Sequence, residues 1–125
     1  MLVWLAIFGG GGLGACLRVA LMLAIAERVG ASFPYGLLAV NAIGCLAIGV
    51  VATFADEAGW LDATWRAFAV TGVLGGFTTF SSFGLDTVRL AAAGQAGLAA
   101  ANVVCSVGFA LLGVVFGAAL ARSLA

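Results

Sequence analysis

Four apolar stretches, each roughly 20 residues or longer, leave this chain few ways to fold. Short polar breaks at residues 27–33, 55–63 and 94–97 divide them. Hydrophobic residues make up 65% of the 125 residues and charged residues only 8%; mean hydropathy is +1.27. A soluble domain of this size exposes too much of its surface to hide so much apolar area. Lipid is therefore the solvent for most side chains, and an all-α integral membrane protein is expected. Spans are expected at about 2–26, 34–54, 64–93 and 98–121, within a single transmembrane domain covering 1–125. No positive segment precedes the first run, so it reads as a span and not as a cleaved signal. Short connections favour an antiparallel bundle.

Composition also limits the chemistry. The chain has no histidine and no lysine. That removes most acid–base catalysis near neutral pH and the usual zinc ligand sets. No catalytic constellation remains, so the chain does not read as an enzyme. Cys16, Cys45 and Cys105 lie far apart inside apolar runs and read as small core residues. No basic surface suggests a nucleic-acid partner.

Glycine is concentrated in the first span. Gly9, Gly11 and Gly14 fit a dinucleotide-binding pattern, but no strand precedes them and no acidic ribose ligand follows. Gly10 and Gly14 fit the G-x-x-x-G spacing of close helix contact better. Arg18 lies late in this span. It either reaches an aqueous vestibule or partner, or snorkels to the interface. Pro34 suits the first turn of the second span. Asn41 is that span's one strongly polar residue, as interhelical glue or as a source of two N–H donors for an anion. Trp60 and Trp65 suit a membrane interface.

The third span is longer than a straight crossing needs. It contains GVLGGFTTFSSFG, Gly72 to Gly84, with four hydroxyls and three phenylalanines. An ordinary anchor needs none of these, since a helix in lipid satisfies its own backbone. A break near the middle of this span is expected, at Gly75-Gly76, with a polar path beside it. Phe80 and Phe83 share a face, and Thr79 and Ser82 lie beside them. Asp86 and Arg89 are placed to pair. In the fourth span Asn102 and Ser106 share a face, and Gly113 and Gly117 repeat the close-packing spacing.

Neutral donors such as Asn41, Thr79, Ser82 and Ser106 can replace an anion's hydration shell. They do so without the tight hold of a lysine or arginine ring. Phenylalanine ring edges are positive and attract an anion in the ring plane. Four spans put Arg66 and Arg122 on one side and Arg28 and Arg89 on the other, so the positive-inside rule sets no orientation. A chain without bias inserts both ways, which points to a dual-topology antiparallel homodimer.

Three motifs resemble the Fluc/CrcB fluoride channels. GGGLGACLR, Gly10 to Arg18, resembles the family's first-span G-G-x-x-G-A-x-x-R. The run from Pro34 through Gly36, Val40, Asn41 and Gly44 resembles its P-x-G-T-x-x-V-N-x-x-G. GVLGGFTTFSSF, Gly72 to Phe83, resembles its G-x-x-G-G-F-T-T-F-S-T-F, the most specific of the three. The resemblance implies passive export of fluoride through two pores in an antiparallel homodimer of the cell's inner membrane, lowering fluoride toxicity. It also implies a structural, untransported Na+ held at the dimer centre by backbone carbonyls, here those of Gly75 and Thr78. Phe80, Phe83, Asn41 and Ser106 match its pore residues. Leu37 stands where the family usually has threonine, Asn102 where some members have tyrosine, and Ala110 where some have a hydroxyl. Asp86 stands where glutamate is frequent. The competing class is a small dual-topology proton-coupled drug/cation antiporter, which needs a carboxylate within the membrane. The acids here all lie near loops.

Overall fold

Where no water reaches the backbone, its N–H and C=O groups must pair within the segment, and helices do this. The computed structural model describes residues 1–57 and 62–124, and Trp60 lies outside them. All elements among these residues are helical. Helix α1 is Leu2–Val29 and α2 is Tyr35–Glu57. Helix α3, residues 63–77, joins Ala63–Arg66, a π-helical stretch Ala67–Leu74 and Gly75–Phe77. Helix α4 is Phe80–Ala92 and α5 is Ala96–Leu124.

Four segments are long and apolar enough to cross a membrane: Leu2–Val29, Tyr35–Glu57, Ala63–Ala92 and Ala96–Leu124. The shortest, 23 residues, spans about 35 Å at the helical rise, more than the ~30 Å hydrocarbon core. The chain is thus a multi-pass membrane protein.

Local chemistry sets the helix ends. Asp62 Oδ1 accepts from Thr64 N at 2.8 Å and Trp65 N at 2.9 Å, an N-cap for α3. Helix α4 closes on Gly94 at φ 76°, with Gly94 N bonded to Ala91 O and Gln95 N to Leu90 O. This is the Schellman arrangement, and it needs a residue tolerant of positive φ.

Missing side chains fix the packing. A Cβ on Gly10 would meet the backbone of Phe68 and Val73, and one on Gly14 the backbone of Val73 and Phe77. The G-x-x-x-G face of α1 therefore seats α3. On the other side, Gly117 packs on Leu46, Gly49 and Val50, and Gly49 packs on Val114 and Ala118. This joins α2 to α5 in an extensive helix–helix contact. At one end, Arg122 Nε donates to Glu57 Oε1 at 2.9 Å and Arg66 pairs with Asp56. The end of α2, the start of α3 and the C-terminal end of α5 thus share one side. No ion pair joins Asp86 to Arg89 among the described residues, contrary to the pairing their spacing suggests.

The expected break is displaced. Gly75 is helical, at φ −65° and ψ −37°, and the Gly75–Phe77 turn is continuous with the residues before it. The extended residues are Thr78, at φ −82° and ψ 156°, and Thr79, at φ −153° and ψ 125°. Glycine is tolerated inside a helix, whereas β-branched threonine adopts extended backbone readily and its hydroxyl can cap the next helix.

Candidate anion site beside the third span

Thr78 and Thr79 lie extended between α3 and α4, so their peptide groups need partners from elsewhere. Asn41 on α2 supplies one pair. Its Nδ2 donates to Thr79 O at 3.1 Å, and Thr79 N donates to its Oδ1 at 2.9 Å. A side-chain amide matches a peptide group in shape and polarity, so one residue satisfies both Thr79 groups. This uses one of the two N–H groups expected to serve an anion, and one remains.

The hydroxyls close the segment locally. Thr78 N and Thr78 Oγ1 both donate to Leu74 O, at 3.0 Å each. Thr79 Oγ1 accepts from Ser82 N at 3.4 Å, a long cap for α4, and lies 3.2 Å from Ser81 Oγ. The same oxygen reaches Ser82 Oγ at 3.3 Å. Gly44 makes room for the segment, because a Cβ there would overlap the Thr78 Cγ2 methyl and crowd the Phe77 ring.

A cavity of about 450 Å³ opens here, lined by Asn41, Thr78, Thr79, Phe80, Phe83 and Ser106 among others. Gly75 is also at its wall. The phenylalanine rings lie 5.2 Å apart, centroid to centroid, tilted by 40°. Phe83 is buried, whereas Phe80 is 81% exposed. No charged side chain lines the cavity. Its polar groups are an amide, hydroxyls and backbone, donors that can coordinate an anion without trapping it.

The structure thus brings Asn41, Thr79, Phe80, Phe83 and Ser106 together with Gly75 and Thr78. Ser82 is not in the cavity wall and reaches the site only through Thr79. Arg18 is not in the wall either; it is half-buried on α1, one turn beyond Gly14 on the face that seats α3. Cys45 lines the cavity one turn after Asn41, a place its four-residue spacing marks on α2.

Thr87 and Asn102 extend the polar groups away from the cavity. Thr87 Oγ1 donates to Phe83 O at 2.8 Å, Asn102 Nδ2 donates to Thr87 Oγ1 at 2.9 Å, and Ser106 Oγ donates to Asn102 Oδ1 at 3.3 Å. Sequence reasoning paired Asn102 with Ser106 but missed Thr87. The signal was its place one turn after Phe83 on the same face of α4.

The family model described as "CrcB-like protein, Camphor Resistance (CrcB)" matches residues 5–118. A Nitrobacter hamburgensis protein named "Fluoride-specific ion channel FluC 2" is 43% identical over 121 residues, covering 97% of this chain and 98% of its own. Proteins named "Fluoride-specific ion channel FluC" are similar at 47% identity. One is from Rhodospirillum rubrum, with 93% of this chain and 92% of its own covered; the other is from a Roseiflexus species, with 96% and 97%.

Proposed function

The chain belongs to the CrcB family, and on that premise we propose that it is a fluoride-specific ion channel working by passive diffusion. The observation that carries this reading is the uncharged cavity at Thr78–Thr79, walled by hydroxyls, an amide and two phenylalanines. Fluoride is small and strongly hydrated, so it enters only where donors replace its water. The free N–H of Asn41 and the hydroxyls of Thr79 and Ser106 are such donors, and the edges of Phe80 and Phe83 add attraction. An ion held only by neutral groups can also leave. No carboxylate faces the cavity, which disfavours a proton-coupled antiporter.

The working unit in this reading is an antiparallel homodimer with two pores, in the cell's inner membrane. Two features favour a second copy: Phe80 stands 81% exposed beside the cavity, and Gly75 at the cavity wall is exposed as well. The same edge is suited to Na+. The i+4 partner of Gly75 O, Thr79 N, donates to Asn41 instead, and Thr78 O lies outside a helical ladder. Backbone oxygens suit a hard cation, but one chain offers only these two, fewer than such an ion takes. Gly75 and Thr78 from both copies would hold it. When bound, it supplies positive charge that lowers the cost of an anion nearby.

The test is efflux from proteoliposomes loaded with fluoride or with chloride. Fluoride is expected to leave through the protein and chloride to stay behind. Equal rates for the two anions, or no flux of either, would overturn the reading.

A further inference from the structure

A groove of about 630 Å³ runs between α1, α2 and α5. Ile25 and Val29 of α1, Tyr35, Leu38 and Ala39 of α2, and Phe109 of α5 are in its wall. It shares no lining residue with the cavity at Thr78–Thr79. Its depth matches one leaflet. Val29 and Tyr35 stand at the ends of α1 and α2, where the chain turns through residues 30–34. Phe109 stands near the middle of α5, about 20 Å along the helix from Ala96, which begins α5 on that same side. Half of the hydrocarbon core is about 15 Å. The groove thus opens at one membrane face and ends near the midplane. Its lining side chains are apolar except for the Tyr35 hydroxyl, and Val29, Tyr35 and Phe109 are exposed.

The mouth of the groove carries unpaired positive charge. Arg28 is exposed in the last turn of α1, three residues from Ile25 and next to Val29, so it shares the face of α1 that lines the groove. Neither ion pair among the described residues uses it; both lie at the other end of the bundle. Glu27, the one acid in the last turns of α1, is turned about 100° round the helix from Arg28, and no ion pair joins the two. The Tyr35 ring packs on Phe33 with centroids 5.0 Å apart, and no hydrogen bond among the described residues uses its hydroxyl.

We propose that this groove binds one anionic phospholipid, with an acyl chain laid along α2 between α1 and α5 and the headgroup phosphate on Arg28 and Tyr35. A guanidinium meets phosphate oxygens with two parallel N–H bonds, and the tyrosine hydroxyl adds a third donor. Tyrosine also suits this depth, with its ring among acyl chains and its hydroxyl at the headgroups. Between lipid and protein there is no hydrophobic gain to be had, so the chain is held by close packing and the headgroup supplies the selectivity. The features that favour a second copy of the chain, exposed Phe80 and Gly75, lie at the other cavity. The site needs only that the helices cross a membrane, so it stands or falls apart from the fluoride-channel reading.

Native mass spectrometry of the full chain tests this, with the protein in detergent and given equal amounts of dioleoylphosphatidylglycerol and dioleoylphosphatidylcholine. The wild-type protein is expected to retain one phosphatidylglycerol per chain, favoured at least about fivefold over phosphatidylcholine, as for one basic residue meeting an anionic headgroup. Arg28→Gln is expected to abolish that preference. Arg89→Gln removes a charge at the same membrane face but outside the groove, and is expected to keep it. Ala39→Phe, which fills the groove, is expected to lose both lipids with the oligomeric state unchanged. Equal retention of the two lipids by the wild-type protein, or equal loss of preference in the two arginine variants, would overturn the proposal. So would an Ala39→Phe protein that binds lipid as the wild type does, or one that falls from dimers to single chains, the mark of a second copy in the groove. If Ala39→Phe does not fold, the two arginine variants decide.

Discussion

At the residue scale, Asn41 carries two demands. Its amide holds the Thr79 peptide at both ends, and the residue also lines the cavity. Asn41→Asp keeps an acceptor for Thr79 N but loses the donor to Thr79 O and places a carboxylate in the wall. Fluoride efflux from proteoliposomes is expected to fall below detection. The purified variant should lose about 1–3 kcal/mol of stability for the unpaired carbonyl. Gly44 is the quieter counterpart. A Cβ there overlaps the Thr78 methyl, which cannot swing away without giving up the Thr78 Oγ1 bond to Leu74 O. Gly44→Ala is expected to cut fluoride flux several-fold and cost about 1–3 kcal/mol by overpacking. Gly97→Ala, with open space around the new methyl, should leave flux unchanged in the same assay.

At the scale of elements, what distinguishes the third span is how it is gripped. Helix α1 holds α3 by backbone contact through Gly10 and Gly14, and α2 holds the extended segment through Asn41 and Gly44. Gly14→Ala sets a methyl against the Val73 carbonyl and the Phe77 N–H, backbone atoms that cannot rotate aside. The expected result is a separation of α1 from α3, seen as a lower melting temperature in detergent and a loss of about 1–3 kcal/mol. The motif GGFTTFSSF made the stretch that lines the cavity legible in the sequence. Its geometry was less so: the glycines marked a break, yet Gly75 and Gly76 stay helical and Thr78 and Thr79 extend. Local propensity weighs each residue alone, whereas here a partner on α2 satisfies the peptide group that leaves the helix.

At the scale of the whole molecule, the described residues form a small core and leave many large apolar side chains outside. Lipid or a second copy must cover them. Arg66 and Arg122 lie at one end, and Arg28 and Arg89, in the last turns of α1 and α4, at the other, so these four arginines give no bias. Insertion in both orientations is the expected outcome. A single cysteine placed at the C-terminus of a chain lacking its native cysteines should react with an impermeant maleimide from both sides of the membrane. Labelling from one side alone would rule out dual topology.

The sequence by itself determined the solvent, the number of spans and where the neutral hydrogen-bond donors lie along the chain. Those depend on hydrophobic length and on donor chemistry, both carried by side chains in order along the chain. Only the tertiary structure decided where the third span leaves its helix, that Asn41 spends one N–H on Thr79, and that Thr87 joins Asn102 and Ser106. These depend on which backbone groups lose their helical partners and which distant side chains come close enough to replace them. Hydrogen bonds between residues 38 positions apart are set by helix packing, and no local pattern encodes them.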